Sequence, residues 1–170
     1  MGIKEENNFA YIDGQNLNLG VKSAGWDLDF KRFRIYLKEK YGASKAYYFV
    51  GFVSGNQKLY DALQEYGYIL NFKPVILDGN KKPKGNIDAN LVLKAMIDFY
   101  DNSFEKAVII TSDGDFYCLV EHLYEKGKLS AVLSPNKQKC SSLLRKSGKE
   151  KMVYLDNLKE KLEYKRKSTA

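Results

Sequence analysis

Short apolar stretches alternate with amphipathic helical patterns along almost the whole chain, and this alternation constrains the fold more than any other feature. The predicted strands are Phe9–Ile12, Lys45–Val50, Tyr68–Ile76 with an interruption at Pro74, Lys106–Thr111, Ser130–Leu133 and Met152–Tyr154. The predicted helices are Phe30–Tyr41 capped by Asp29, Asn56–Tyr66, Ile87–Tyr100, the segment between Asp115 and Gly127, Ser141–Lys146 and Asp156–Tyr164. Such alternation is typical of βαβ units around a mainly parallel sheet, so we predict an α/β fold.

Length and composition indicate one domain with its own core. The chain has 170 residues, of which 44% are hydrophobic and 14% aromatic, enough to exclude global disorder. We predict a polar lead over residues 1–8, a single domain over residues 9–164 and a basic, flexible tail over residues 165–170. No apolar stretch approaches the length of a membrane span, and residues 1–8 do not resemble a signal peptide.

The two cysteines, Cys118 and Cys140, are too few for a disulfide scaffold and form no zinc-binding pair. We therefore expect a reduced, cytoplasmic protein with no disulfide-linked partner and no membrane partner. Plain packing is the favoured role of both cysteines. The single histidine, His122, lies beside leucines on a predicted helix, which favours packing or a surface position over catalysis.

The net charge of +7 is concentrated at one end of the chain. Residues 1–136 contain 17 basic and 17 acidic side chains, whereas residues 137–170 contain 11 basic and 4 acidic ones. A positive end on a neutral body favours polyanions such as nucleic acid or an anionic membrane surface. A solubilising tail is the alternative explanation of the same pattern.

Four aspartates occupy positions where ligands bind in α/β proteins, near the carboxyl ends of strands. Asp13 follows the first strand and Asp113 follows the most continuously apolar one, Lys106–Thr111. Asp115 and Asp88 lie in the first turns of predicted helices. Taken singly, each acid has an ordinary explanation. An acid in the first turn of a helix interacts favourably with the helix dipole, and Asp-Gly is common in turns.

Taken together, the four aspartates favour a metal site. Parallel topology brings strand ends to one edge, and two carboxylates ~4 Å apart repel by about 4 kcal/mol at an effective dielectric constant of about 20. Such a cluster becomes tolerable when it binds a cation, or when mutual repulsion raises some of the pKa values so that those carboxyl groups stay protonated. Hard divalent ions with oxygen ligands suit this set, and Mg²⁺ suits a phosphodiester substrate.

Three segments resemble the motifs of NYN-domain proteins, which are PIN-like, Mg²⁺- or Mn²⁺-dependent ribonucleases. The segments are Tyr11-Ile12-Asp13-Gly14-Gln15-Asn16-Leu17, Lys84-Gly85-Asn86-Ile87-Asp88-Ala89-Asn90-Leu91-Val92 and Thr111-Ser112-Asp113-Gly114-Asp115-Phe116. Each motif is weak alone, but three in family order and spacing are a specific signal. The resemblance, over about residues 9–162, implies a PIN-like, Rossmann-like three-layer α/β/α sandwich.

The resemblance also implies roles for matched residues. Asp13, Asp88, Asp113 and Asp115 match the catalytic, metal-binding acidic set, and Asn16 and Ser112 match polar residues that support it. The middle motif of the family allows a second aspartate, but we do not include Asp98 in the acidic set. It lies about 80° away from Asp88 around the predicted helix, assuming 3.6 residues per turn.

Two functional hypotheses follow from the motifs and the charge. The first is an endoribonuclease that uses Mg²⁺ or Mn²⁺ and activated water on single-stranded or loop RNA, leaving 5′-phosphate and 3′-hydroxyl ends. The second is an RNA-binding module whose metal site is idle or structural. Some of the basic residues are predicted to contact RNA phosphates: Lys84, Lys137, Lys139, Arg145, Lys146 and Lys149. A homodimer is compatible with either hypothesis. An aspartyl-phosphate phosphatase is disfavoured, because Gln15 stands where a second aspartate would be required.

Overall fold

The computed structural model describes residues 5–73, 76, 77, 83, 84 and 87–167. Its central feature is a six-stranded sheet in which every neighbouring pair is parallel. The strands, in their order across the sheet, are β3 (Ile69–Lys73), β2 (Ala43–Gly51), β1 (Asn8–Asp13), β6 (Ala107–Ile110), β7 (Leu129–Ser134) and β8 (Met152–Tyr154). The predicted α/β class and parallel sheet are therefore confirmed.

Helices cover both faces of this sheet. They are α1 (Gly14–Ser23), α2 (Phe30–Tyr41), α3 (Gln57–Glu65), α4 (Ile87–Tyr100), α5 (Tyr117–Glu125), α6 (Ser142–Gly148) and α7 (Lys159–Leu162). Short 3-10 helices cover Ser54–Asn56, Gly114–Phe116, Lys149–Lys151 and Leu155–Leu158. Several predicted helices are thus divided into a 3-10 turn and an α-helix.

The alternation of side chains along the strands produces two hydrophobic cores, one on each face. On β1, Ala10 and Ile12 pack with α1, α2 and α7, while Phe9 and Tyr11 pack with α4, α5 and α6. All four of these β1 side chains are almost completely buried. Two cores on either side of one sheet make the three-layer sandwich that the sequence predicted, with β1 at its centre.

Helix α1 is the element that the sequence analysis did not predict. It begins directly after β1, where the Asp13 side chain accepts a hydrogen bond from the Asn16 backbone N–H and caps the helix. Only Gly14, Leu17 and Val21 are buried along its ten residues, so its apolar periodicity is weak. The Asp13-Gly14 pair is therefore a strand-to-helix junction rather than a simple turn.

The third strand is shorter than predicted. β3 ends at Lys73, and Ile76 belongs to a separate two-residue strand, β4 (Ile76–Leu77), which pairs antiparallel with β5 (Pro83–Lys84). Pro74 and Val75, which the predicted strand included, lie outside the described residues. Lys81 and Lys82, between β4 and β5, also lie outside the described residues.

The C-terminal segment closes against the α1–α2 connection. The Asp29 N–H donates to the Leu162 carbonyl at 2.8 Å, and the Tyr164 N–H donates to the Asp27 carbonyl at 2.8 Å. None of the helices in the described part of the chain is both long enough and apolar enough to span a membrane.

Gly14 is required at the β1–α1 junction because of a close approach by β2. A Cβ built there would overlap the Tyr48 ring and lie 2.8 Å from the Phe49 carbonyl oxygen. We expect Gly14→Ala to lower the free energy of unfolding by about 1–3 kcal/mol, as overpacking does. Gly55→Ala is the control, because a Cβ at Gly55 meets no atom within 4 Å. Equal urea midpoints for the two variants would contradict this interpretation.

Candidate functional site

The carboxyl edge of the sheet brings the predicted acidic residues to one place. β1 and β6 are parallel neighbours in which Ile12 lies opposite Ile110, so both strands end at the same level. Asp13 is the last residue of β1, and Asp113 follows β6. Asp115 lies in the 3-10 helix that follows Asp113, and Asp88 lies in the first turn of α4.

Three of the four aspartates form a close cluster. One carboxylate oxygen from each of Asp88, Asp113 and Asp115 lies within 4.8 Å of the other two. Asp113 and Asp88 are partly buried, and Asp115 is exposed. This spacing suits three oxygen ligands around a single divalent cation, since ligands 2.0–2.6 Å from an ion lie roughly 3–5 Å from one another.

Asp13 lies beside this acidic triad but is held differently. Its side chain is buried, with one oxygen accepting from the Asn16 N–H at 3.2 Å and the other from the Thr111 hydroxyl at 3.2 Å. Burial raises the pKa of Asp13 to about 6. The two hydrogen bonds lower the pKa, while the charges of Asp88 and Asp113 raise it.

Burial, followed by the charges of Asp113 and Asp115, also raises the pKa of Asp88. Lys73 at the end of β3 acts in the opposite direction. The shifts at Asp13 and Asp88 share the same two causes, desolvation and neighbouring carboxylates. The carboxylates at this edge of the sheet therefore lie close enough together to disfavour ionisation of Asp13 and Asp88.

A hydrogen-bond network holds the loop that carries Asp113. The Asn16 Oδ1 accepts from the Ser112 N–H at 2.7 Å, and the Ser112 hydroxyl is 2.8 Å from that of Ser134 on β7. Asn16 and Ser112 thus connect α1, the end of β6 and β7. The supporting role that the resemblance implies for these two residues stays a prediction.

Thr111 is a part of this network that the sequence analysis did not select. Its hydroxyl donates to Asp13 and accepts from the Asp113 N–H at 3.1 Å. It therefore connects the two strand-end acids directly. Thr111 is the last residue of the predicted strand Lys106–Thr111. This position, just before Asp113, was the sequence signal that could have identified it.

The acidic residues line an open cleft of about 420 Å³ between α1 and the start of α4. Asp13, Asp88 and Asp113 contribute to its wall, together with Asn16 and Ser112. Lys139, in the loop after β7, also lines the cleft and is exposed. A cleft with a carboxylate floor and a lysine at its wall can hold a cation and a bound anion together.

The other basic residues of the predicted set are spread over the surface. Lys137 follows β7 at the same edge, with its ammonium 5.6 Å from the Tyr154 ring centre. Arg145 and Lys146 are exposed on α6. The side chain of Lys84 lies outside the described residues.

Lys149, which the sequence analysis placed among the residues that contact RNA phosphates, does not lie at the carboxyl edge of the sheet. It precedes β8, with its ammonium 4.6 Å from the ring centre of Tyr124, which lies near the end of α5 before β7. Both positions belong to the amino edge of the sheet, because the strands are parallel. Helix α6 carries the chain from the carboxyl edge to that amino edge, so Lys149 is separated from the acidic triad.

Asp98 corrects the predicted orientation of α4. The buried residues of this helix are Leu91, Ala95 and Asp98, so the face toward the sheet is centred closer to Asp98 than the sequence pattern indicated. Asp98 is 4% exposed and accepts a hydrogen bond from the Tyr11 hydroxyl. Burial and this hydrogen bond raise the pKa of Tyr11 well above its ordinary value, so Tyr11 remains the donor.

In the described part of the chain, neither the histidine nor the cysteines belong to the acidic cluster. His122 packs on Phe99 with ring centres 5.1 Å apart, which agrees with the predicted packing role. Cys118 is exposed and Cys140 is buried, and neither forms a disulfide.

The sequence matches the family model for the NYN domain over residues 10–156. The chain belongs to the NYN domain family. The NYN domain implies a PIN-like nuclease fold, and the acidic triad described above is present in this chain.

Among solved structures, the NYN domain described here is similar to a protein of unknown function, VPA0982, from Vibrio parahaemolyticus RIMD 2210633. The TM-score is 0.79 at 19% sequence identity, and the match covers 96% of this chain and 100% of the other. At this identity the likeness shows a shared fold alone. A comparison with curated proteins finds no significant match.

The raised pKa of Asp13 predicts a specific pH dependence of stability. Its pKa is about 6 in the folded protein and 3.8 ordinarily, so the folded state holds this proton more tightly than the unfolded state. The resulting stabilisation is complete below about pH 4 and is lost as the pH rises through about 6. At about 1.4 kcal/mol per pH unit, it amounts to at most about 3 kcal/mol.

We therefore expect Asp13→Asn to remove this decline. In urea unfolding at pH 4 to 7 with EDTA, the variant should gain stability relative to wild type as the pH rises. Asp61→Asn, which changes an exposed carboxylate on α3, is the matched control and should follow the wild-type curve. Parallel curves for wild type and Asp13→Asn would show that Asp13 has an ordinary pKa.

Proposed function

We propose that this NYN domain is a divalent-metal-dependent endoribonuclease that hydrolyses single-stranded or loop RNA. The observation that carries the proposal is the acidic triad of Asp88, Asp113 and Asp115, whose oxygens lie within 4.8 Å of one another. Asp88 and Asp113 also line the open cleft. Family membership supports the nuclease class, and the chemistry of the donor set supports the metal.

The donor set fits Mg²⁺ or Mn²⁺ better than softer metals. It consists of carboxylate oxygens, whereas sites for zinc and copper use imidazole or thiolate ligands. Asp88, Asp113 and Asp115 would hold the ion directly, and the buried Asp13 would add a further carboxylate beside them. Asn16, Ser112 and Thr111 orient these acids through hydrogen bonds to side chains and to the Ser112 and Asp113 backbone.

A divalent ion held there supplies activation of the attacking water and neutralises charge that develops on the phosphate. The protein places the phosphodiester in the cleft, with Lys139 at the wall to pair with a phosphate oxygen. Attack by water with departure of the 3′-oxygen leaves a 5′-phosphate and a 3′-hydroxyl. No histidine is close to the acidic triad among the described residues, so chemistry that depends on a histidine pair is not supported.

Asp113→Asn tests the catalytic site with little change of shape. Asparagine keeps an oxygen that can accept from the Asp115 N–H, as Asp113 does at 2.9 Å. Without metal, loss of one repelling charge should stabilise the protein by about 1 kcal/mol after screening. With Mn²⁺, the variant should lose both RNA cleavage and most of the metal-dependent rise in melting temperature, since a ligand stabilises only the state that binds it.

Labelled single-stranded RNA incubated with Mn²⁺ or with EDTA provides the cleavage measurement. Asp101→Asn is the matched control, because Asp101 is exposed at the far end of α4. It should cleave and respond to Mn²⁺ as wild type does. Binding of RNA without metal-dependent cleavage would favour the RNA-binding module, and an unchanged wild-type melting temperature at millimolar Mn²⁺ would overturn the metal site.

The basic residues predict different contributions to RNA affinity. Contacts to Z phosphates on a single strand give a slope of log affinity against log salt near −0.7Z. We expect Lys139→Gln, at the cleft, to flatten this slope by about 0.7. Lys149→Gln removes the same charge at the opposite edge of the sheet and should leave the slope unchanged. Equal slopes for both variants and wild type would show that Lys139 makes no phosphate contact.

A further inference from the structure

A second buried acid on α4 makes a close polar contact with the central strand. The Asp98 carboxylate accepts from the Tyr11 hydroxyl at 2.7 Å through one oxygen and from the Lys94 ammonium at 2.7 Å through the other. Asp98 is 4% exposed and Tyr11 is fully buried. A carboxylate is costly to bury, and these two short, well-matched contacts compensate for the lost water.

The Tyr11–Asp98 hydrogen bond joins the same two elements that carry Asp13 and Asp88. Tyr11 precedes Asp13 by two residues on β1, so the two side chains project to the same side of the sheet. Asp98 follows Asp88 by ten residues on α4, which corresponds to about 15 Å along a helix. The hydrogen bond therefore fixes α4 at one point, and the acidic site depends on where α4 begins.

The remaining contact between α4 and the sheet is mainly apolar. Leu91 and Ala95 pack on the aromatic side chains of β1 and β2. Hydrophobic contact is non-directional, so it opposes separation of the helix from the sheet more strongly than sliding or rotation. A hydrogen bond depends on both distance and angle, and it therefore defines the axial and rotational position of the helix.

Lys94 extends this restraint to the next strand. Its ammonium lies 4.9 Å from the centre of the Tyr47 ring on β2, and Tyr47 stacks on Tyr11 with ring centres 5.6 Å apart. Asp98 and Lys94 together hold α4 against two neighbouring strands.

We propose that Tyr11 and Asp98 are positioning residues for the acidic site, because their buried hydrogen bond sets α4 in the register that brings Asp88 to Asp113 and Asp115. The inference rests on the proposed metal-dependent function. It assigns no contact with metal or RNA to either residue.

Tyr11→Phe removes the hydroxyl and leaves the ring. Tyr68→Phe is a matched control: Tyr68 is also buried, and its hydroxyl donates to the Phe30 carbonyl at 2.7 Å. Tyr68 belongs to the core on the opposite face of the sheet from α4. Both variants lose one short hydrogen bond made by a buried tyrosine, so both should lower the urea midpoint.

The Mn²⁺ affinity separates a positioning role from a structural one. Isothermal titration with Mn²⁺ alone, at a temperature where every variant is folded, should show affinity weakened by about tenfold for Tyr11→Phe, which is the lower end of the effects seen when residues that support metal ligands are changed. Tyr68→Phe should bind Mn²⁺ as wild type does. Wild-type affinity in Tyr11→Phe, despite its lower stability, would overturn the positioning role while leaving the proposed function intact.

Asp98 provides a second, independent pair of variants. Asp98→Asn retains an oxygen that can accept from Tyr11, whereas Asp98→Ala does not, so Asp98→Asn should bind Mn²⁺ more tightly than Asp98→Ala. Equal affinities for the two would contradict the role of the Tyr11 hydrogen bond. Absence of Mn²⁺ binding in wild type would overturn the proposed function and this inference together, an outcome distinct from the selective failure described above.

Discussion

The parallel pairing of β1 with β6 is the constraint on which the site depends. Because these neighbouring strands run in the same direction and end at the same level, the chain must deliver Asp13 and Asp113 to one edge. Helix α4 then brings Asp88 to that edge from one face of the sheet, and α1 brings Asn16 from the other. Carboxylates repel one another, so the packing of these strands and helices must hold them together against that repulsion.

The fold counters this repulsion by different means at different acids. Asp13 is buried and accepts two hydrogen bonds, yet its pKa remains near 6 because burial outweighs them. Asp113 caps the 3-10 helix by accepting from the Asp115 N–H. These local contacts orient the carboxylates but leave their charge concentrated in the cleft. Closely spaced carboxylates in a fixed geometry are what the proposed cation site requires.

Much of this arrangement could be predicted from the sequence, because it follows from strand order and strand ends. The apolar stretch before Asp113 identified a central strand, and the rule that parallel strands end at one edge brought the acids together. Helix α1 could not be predicted in the same way, since a short helix with few buried residues has little periodic signal. The position of Lys149 depended on the direction of α6, which residue spacing after β7 does not reveal.

Asp98 shows why the orientation of α4 against the sheet was predicted incorrectly. Its apolar side chains extend over a wide arc, so the sequence pattern leaves the centre of the buried face uncertain by one residue or two. A buried acid also contradicts the assumption that the face is apolar, unless its partners on other strands are known. Asp88 and Asp98 thus lie on the same helix in different surroundings. Asp98 is matched by Tyr11 and Lys94 inside the protein, whereas Asp88 lies in an open cleft beside Asp113 and Asp115. The first arrangement stabilises the position of the helix, and the second depends on that position to bring Asp88 close to the other two carboxylates.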